Sequence, residues 1–259
     1  LEEGLQLDDH RLFLGIESGT LLIHRPQLEY TLPVLFDPNI PFWRSSRGFN
    51  DKSDIKMAHT ANRVFLLSYN AIVLIAQLNL NPSLFDSLAK SAVVASSTAR
   101  RLYKDARQFA EIPQKTVGQL IAVDDELAFA EHNDVSKEDF RKNALSIIDT
   151  LSELTQISPV VSLEADMAVL SAASTLSPVF ALDINTASAN NMVYVTEDKM
   201  HADLLDTDEG IGRCSVQYLL QALGTDMDTM FHAIERYKKW SARPLIDIEI
   251  ASEFMNMNS

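Results

Sequence analysis

The sequence predicts an α/β fold in which short parallel strands are covered by helices on both faces. Three short apolar runs carry this prediction: Val64–Ser68, Ala92–Ala95 and Met192–Val195. Each run is followed by residues whose apolar positions recur at helical spacing. Strands that are apolar on every side are typical of parallel sheets with helices on both faces. We therefore expect Val64–Ser68 and Met192–Val195 to be adjacent parallel strands of one core that spans residues 62 to about 225.

Composition limits the classes of protein to which the chain can belong. The 259 residues are 46% hydrophobic and 22% charged, with a formal net charge of −14. This charge argues against binding nucleic acid by general attraction to its backbone, because such binding needs basic surface. No apolar run reaches about 18 residues, the length that spans a bilayer, so we expect no membrane partner. Cys214 is the only cysteine, which excludes an internal disulfide and favours a reducing cytoplasm.

Residues 1–61 are predicted to form an irregular arm or small subdomain. Prolines and glycines interrupt any long helix there, and the apolar runs 12–16 and 20–24 predict a hairpin. Because the chain begins at Leu1 rather than Met, we expect a processed form or a segment of a longer protein. Residues 62–259 are predicted to form one α/β domain.

The first half of that domain has the pattern βααβα. An apolar helix is predicted over Ala71–Leu80, directly after the first strand. Asn81 and Pro82 predict a second helix that runs to about residue 90, since Asn favours the cap and Pro the first helical position. Ser96–Thr98 are predicted to cap a third helix after Ala92–Ala95.

Residues 113–175 are predicted to be a helical insertion. The stretch from Pro113 to Gln156 is acidic, and Ser136–Asp139 form a capping box at the start of its most regular helix. A further helix is predicted over Ala165–Ala173, between breaks at Pro159 and Pro178.

The last part of the chain is predicted to be a short helix over residues 179–190, the strand Met192–Val195 and a C-terminal extension. Asp183 is expected in the first turn of the short helix. Gly210–Cys214 are predicted to be a tight connection and Val216–Leu223 a helix. A helix over residues 226–240 and a strand over 245–250 complete the prediction.

Carboxylates follow the strand Met192–Val195 directly, in the sequence Thr196-Glu197-Asp198. A strand that ends in carboxylates just before a helix places them at the carboxyl edge of a sheet, where open α/β folds bind their ligands. An alternative is that Thr196 or Asp198 only caps the helix that follows. The sequence leaves both interpretations open.

Several common sites are excluded. The sequence has no Gly-rich phosphate loop, no Gly-x-Ser-x-Gly elbow and no His-Glu-x-x-His zinc helix. Cys214 has no histidine nearby in the sequence and lies in an apolar setting, so we predict that it packs in the core.

Three segments resemble PIN-like nuclease domains, especially the large bacterial kind found with tetratricopeptide repeats or transcript-cleavage-factor-like proteins. Residues 64–80 resemble the first strand and helix of that family, and residues 92–102 resemble the second strand and its helix. Residues 193–198, with 214–220, resemble its Thr-x-Asp strand and the Leu-Leu helix that follows. The resemblance covers residues 62 to about 250. It implies a three-layer α/β/α sandwich on a small parallel sheet and hydrolysis of RNA phosphodiesters.

The same resemblance implies a site that holds Mg²⁺ or Mn²⁺. Asp198 matches the acid of the Thr-x-Asp strand, and Asp183 matches the acid of the preceding helix. Glu197 and Asp203 are further candidate ligands of the metal. Asn70 stands where the acid of the first strand is expected, and its side chain would be a neutral ligand. Hard cations prefer such oxygen ligands.

Arg101 stands where the family has another acid, in the helix after the second strand. A cation there would repel a metal if it faced the site, and would bind a substrate phosphate if it faced the substrate. Thr196 is a second candidate for contact with that phosphate.

Two functions therefore remain open from the sequence. One is a metal-dependent ribonuclease whose catalytic residues are Asp198, Asp183 and Asn70. The other is a non-catalytic PIN-like module that binds a protein partner or another domain of a longer chain. Three or more carboxylates within reach of one metal would favour the enzyme, whereas pairing of Arg101 with Asp198 would favour the module.

Overall fold

A computed structural model describes residues 64–78, 80–110, 118–123, 126–131, 134–161, 167–196, 201, 204–205, 211–225 and 229. These residues form a mixed α/β fold around a five-stranded parallel sheet, with a separate two-stranded antiparallel hairpin. The strands are β1 (Phe65–Leu67), β2 (Ala92–Ala95), β3 (Gly118–Val123), β4 (Glu126–Glu131), β5 (Thr155–Ile157), β6 (Val193–Val195) and β7 (Gly212–Cys214).

Seven helices are present in the part of the chain that the structure describes. They are α1 (Tyr69–Leu78), α2 (Pro82–Ser91), α3 (Ser96–Ala110), α4 (Asp134–Glu153), α5 (Met167–Leu176), α6 (Pro178–Ala189) and α7 (Val216–Ala222). None of the helices in those residues is both long and apolar enough to cross a membrane.

The parallel sheet has the strand order β5-β2-β1-β6-β7. The central strand β1 pairs with β2 on one side and with β6 on the other, with Phe65 opposite Val193 and Leu67 opposite Val195. The prediction that Val64–Ser68 and Met192–Val195 contain adjacent parallel strands is therefore confirmed. Both strands are buried throughout, as expected for parallel strands that helices cover.

Two apolar clusters lie on opposite faces of this sheet. Phe65 and Leu67 of β1 belong to one cluster and Leu66 to the other, because successive side chains of a strand point to opposite faces. The larger cluster is completed by α1, α2, α3, α4 and α7, and the smaller one by α5 and α6. Cys214 is buried in the larger cluster, so its predicted packing role is confirmed.

Polar side chains cap the starts of α2, α6 and α7. The side chain of Asn81 accepts a hydrogen bond from the backbone N–H of Leu84 at 2.8 Å, and Pro82 occupies the first helical position, as predicted. Ser177 and Ser215 cap α6 and α7 in the same way. Helix α6 was predicted to begin after a break at Pro178, but Pro178 is its first residue.

The prediction of a continuous helical region from residue 113 was wrong. Residues 118–123 and 126–131 form the antiparallel strands β3 and β4, in which Val123 pairs with Glu126. The acidic pair between the strands, Asp124-Asp125, is of a residue type that favours turns, and β3 carries Ile and Val. The helix α4 then begins at Asp134, two residues before the predicted capping box.

Gly210–Cys214 was predicted to be a connection, but residues 212–214 are the edge strand β7, parallel to β6. The three residues Gly-Arg-Cys have no strand-like pattern, so their conformation depends on pairing with β6. Residues 155–157 likewise form an unpredicted strand, β5, at the opposite edge beside β2.

The predicted arm over residues 1–61 lies outside the described residues. So do the predicted hairpin within it, the helix over 226–240 and the strand over 245–250.

Candidate functional site

The side of the sheet to which the chain adds new strands changes between β1 and β6. From β1 the chain adds β2 and then β5 on one side, and afterwards it adds β6 and β7 on the other. In open α/β sheets the crevice outside the carboxyl ends of the strands at such a switch point is the usual ligand site. A pocket lies there, and its lining residues are Ser68, Tyr69, Asn70, Ser177, Val179, Phe180, Asp183, Tyr194 and His201.

Asp183 is the carboxylate of this pocket. Its side chain is 1% exposed, and the Thr98 hydroxyl lies 2.8 Å from each of its carboxylate oxygens, to which it donates. Asp183 lies in the second turn of α6, not the first as predicted, because the helix begins at Pro178. The expectation that Thr98 caps α3 was also wrong, since α3 begins at Ser96 and the Thr98 hydroxyl is directed to α6.

Asn70 lies in the first turn of α1, immediately after β1, and is 3% exposed. Its Oδ1 is buried and has no hydrogen-bond partner among the described residues. Leaving a buried polar group unpaired costs roughly 1–3 kcal/mol. The neighbouring Ser68 hydroxyl accepts from the backbone N–H of Ala71 at 3.1 Å and so caps the helix. The Asn70 carbonyl oxygen is thus an acceptor that folding leaves available inside the pocket.

His201 is a pocket residue that the sequence interpretation missed. It is 5% exposed and stacks on Phe180, with ring centroids 3.6 Å apart and planes 9° apart. Phe180 also contacts Tyr194 of β6 at a centroid distance of 5.8 Å. The only sequence signal for this residue was its position in the helical pattern that follows β6, since no second histidine stands at metal-ligand spacing from it.

Arg101 does not line the pocket. Its Nε lies 3.1 Å from Oδ2 of Asp105, one turn further along α3. The same oxygen accepts a hydrogen bond of 3.0 Å from the Tyr69 hydroxyl, so the ion pair joins α3 to the start of α1. Thr196, the other candidate for phosphate contact, is buried directly after β6, and its backbone N–H donates to the carbonyl of Cys214 at 3.0 Å.

The predicted ligands Glu197, Asp198 and Asp203 lie outside the described residues. Within the described part of the chain, no group of three or more His, Cys, Asp and Glu side chains is placed to hold a metal. The structure does bring together Asp183 and Asn70, which are 113 residues apart in the chain (183 − 70). A carboxylate and an unpaired amide oxygen in one buried pocket fit a divalent cation in the nature of their donor atoms.

The size of the pocket restricts its occupant. Its cavity volume is about 20 Å³, which is room for about one water molecule. An ion or a water molecule fits this space.

No protein-family model matches the chain, and no curated protein matches it.

Proposed function

We propose that the chain is a cytoplasmic PIN-like domain, a three-layer α/β/α sandwich whose pocket binds Mg²⁺ or Mn²⁺ for the hydrolysis of RNA phosphodiesters. The observation that carries the proposal is the unpaired, buried Oδ1 of Asn70 in the same pocket as the Asp183 carboxylate. A buried acceptor in the same pocket as a buried carboxylate is costly unless a cation or another donor shares the space. The position of the pocket, at the switch point of a parallel sheet, supports the same reading.

Asp183 and Asn70 would hold the cation, and Asp198, with Glu197 or Asp203, would add charge to the site. A bound divalent cation would make a hydroxide from water near neutral pH and neutralise charge that builds on the phosphate. Thr98 orients the Asp183 carboxylate, because its hydroxyl donates to that group from a separate helix. The scissile phosphate would bind next to the cation, at the mouth of the pocket.

Asn70 makes the proposed enzyme slow. An amide oxygen contributes no formal charge, so the site has lower cation affinity than one with a carboxylate at this position. Metal binding is therefore expected to be weak, and cleavage is expected to need metal concentrations well above those that saturate an all-carboxylate site.

A non-catalytic PIN-like module is the second candidate, and two observations favour it. Asp183 is the single carboxylate that lines the pocket among the described residues. Arg101, which stands where the family has an acid, is paired with Asp105 rather than directed to the pocket. In this case the domain binds a protein partner or another domain of a longer chain, and the pocket has only a structural role.

Titration calorimetry with Mn²⁺ separates the two candidates. The comparison uses the parent protein, Asp183→Asn, Asp198→Asn and the control Asp149→Asn, an exposed position on α4 that undergoes the same chemical change. We expect the parent and the control to bind Mn²⁺ equally, and Asp183→Asn and Asp198→Asn to lose binding. Equal heats from the parent and Asp198→Asn would show that Asp198 is only a helix cap.

Cleavage of a labelled single-stranded RNA in Mn²⁺ and in chelator tests the reaction. We expect slow cleavage by the parent that chelator stops and Asp183→Asn abolishes. Metal binding without cleavage would support the module over the nuclease. No metal binding by the parent would overturn the cation site itself.

A further inference from the structure

Helix α3 carries a basic stripe on its outer face. Among the described side chains of this helix, the exposed ones are Arg100, Tyr103, Lys104 and Arg107, which we name the α3 stripe. Their spacing of three and four residues places them on one side of the helix. The opposite side is buried in the larger core cluster through Ala99, Leu102 and Ala106. The core contacts of α3 therefore fix the stripe toward solvent.

We propose that the α3 stripe binds single-stranded nucleic acid. Its cations contact phosphates, and Tyr103 stacks on a base. This inference rests on the proposed function only for the choice of RNA over DNA as the strand that is bound.

The attraction of nucleic acid to this chain has to be local. The formal net charge of −14 repels a polyanion, but α3 has four cations and one acid among its 15 residues. Arg100 and Lys104 are like charges one turn apart, an arrangement that destabilises a helix. Neither of them forms an ion pair with the described residues. Phosphates bound to the stripe would relieve this repulsion.

Tyr103 favours a nucleic acid over an acidic peptide as the ligand. Its side chain is 46% exposed, although it is a large aromatic residue that lies between cations. Every unpaired base has a face that stacks on an aromatic ring, and a positively charged surface with such rings is typical of proteins that bind single strands. The carboxylate of an acidic peptide needs no aromatic partner. The stripe therefore fits a single strand better than an acidic peptide.

The α3 stripe lies on a helix that also contacts the wall of the pocket. Arg101, next to Arg100 on the helix, pairs with Asp105, and the same carboxylate accepts from the hydroxyl of Tyr69. Tyr69 lines the pocket. A strand bound on the stripe is thus held by the helix that supports the proposed site of hydrolysis.

The binding of labelled oligo(U) RNA and of oligo(dT) DNA of the same length tests the proposal. The full chain is used in chelator, so that metal and hydrolysis play no part. Arg100→Gln with Lys104→Gln removes two cations of the stripe, and the control Lys90→Gln with Lys142→Gln removes two exposed cations from α2 and α4. We expect the stripe variant to bind about tenfold more weakly and the control to bind like the parent. The slope of log K against log salt should become shallower by about 1.4, because each phosphate contact contributes about 0.7 on a single strand.

Substitutions of the tyrosine test the stacking separately from the charge. Tyr103→Ala should weaken the binding of both strands by about fivefold or more, whereas Tyr103→Phe keeps the ring and should bind like the parent. Parental affinity in both Tyr103→Ala and the stripe variant would overturn the proposal, as would an equal loss in the lysine control. Displacement of the strand by polyglutamate, together with no effect of Tyr103→Ala, would indicate an acidic protein partner and would also overturn it.

These outcomes are distinct from those that test the proposed function. Metal-dependent RNA cleavage by a protein whose stripe variants bind RNA like the parent would leave the nuclease standing and overturn the stripe. Binding of RNA that depends on the stripe, without cleavage in Mn²⁺, would support the stripe and overturn the nuclease.

Discussion

Helix α1 is buried along almost its whole length and helix α6 along half of it, and different kinds of residue are buried in the two helices. Nine of the ten residues of α1 are buried, and apart from Tyr69 and Asn70 at its start they are aliphatic. The buried residues of α6 include Asp183, Asn185 and Thr186. Aliphatic burial stabilises the fold without needing specific partners, whereas each buried polar group is costly until it has one. Helix α1 thus contributes mainly aliphatic packing and reaches the pocket only at its first turn, whereas α6 contributes a buried carboxylate to the pocket.

The polar residues of α6 obtain partners from distant parts of the chain. Asp183 accepts from Thr98 of α3. Thr186 donates to the carbonyl of Leu182 and accepts from the backbone N–H of Val160, which ties the segment after β5 to the helix. Asn70 differs from these residues. Its Oδ1 lies where α1 reaches the pocket and has no hydrogen-bond partner among the described residues. The unpaired group lies where a ligand is proposed to bind.

The largest expected effect is at the aliphatic helix. Leu74→Ala should lower the free energy of unfolding by roughly 2–5 kcal/mol, because it leaves a cavity in the larger core cluster. Urea denaturation measures this change. The control Leu145→Ala, at an exposed position of α4, should cost far less. Similar costs at both positions would show that the packing around α1 is not what stabilises the sheet.

The next largest loss of stability is expected at Thr98, which donates a hydrogen bond to the buried carboxylate of Asp183. Thr98→Val keeps the shape of the side chain but removes the donor to Asp183, so we expect a loss of about 1–3 kcal/mol in chelator. Thr98→Ser keeps the hydroxyl and should cost less. Adding Asp183→Leu to Thr98→Val should recover part of the loss, because the buried carboxylate that lost the Thr98 donor is then removed as well. Additive costs in the double variant would contradict a direct interaction.

A gain in stability is expected at Asn70. In chelator, Asn70→Leu should stabilise the protein by about 1 kcal/mol, since it replaces a buried unpaired oxygen with an apolar group. It should also weaken Mn²⁺ binding. The matched control is Asn81→Leu, which removes the cap of α2 and should cost about 0.5–2 kcal/mol. Destabilisation by both changes would mean that Asn70 contributes to the fold rather than to a ligand site.

The smallest effect is expected at the ion pair on α3. Arg101→Met should lower stability by only about 0.3–0.5 kcal/mol, because the pair with Asp105 is partly exposed and one turn apart on a helix. High salt should reduce even this difference. An Arg101→Met protein of parental stability that had lost affinity for RNA would instead show that Arg101 contacts a phosphate.

Local sequence pattern determined much of the sheet and its first helices. The strands β1, β2 and β6 were predicted within one or two residues of their observed bounds, because each is a short apolar run with a helical pattern after it. The start of α2 followed from Asn81 and Pro82, whose cap and fixed backbone angle act within one turn. Such signals need only neighbouring residues.

Contacts between distant segments made residues 212–214 the edge strand β7, and they determined which residues line the pocket. The Gly-Arg-Cys segment is a strand because β6 lies beside it, and no property of those residues predicts that contact. Thr98 meets Asp183 across 85 residues of sequence, and His201 joins the pocket with its ring stacked on Phe180. Local sequence pattern thus predicted β1, β2 and β6 and the residue types available for chemistry, but not the hairpin β3–β4 or the edge strands β5 and β7. The folded sheet decided which of those residues meet, because the distances between side chains on different elements depend on packing and not on spacing along the chain.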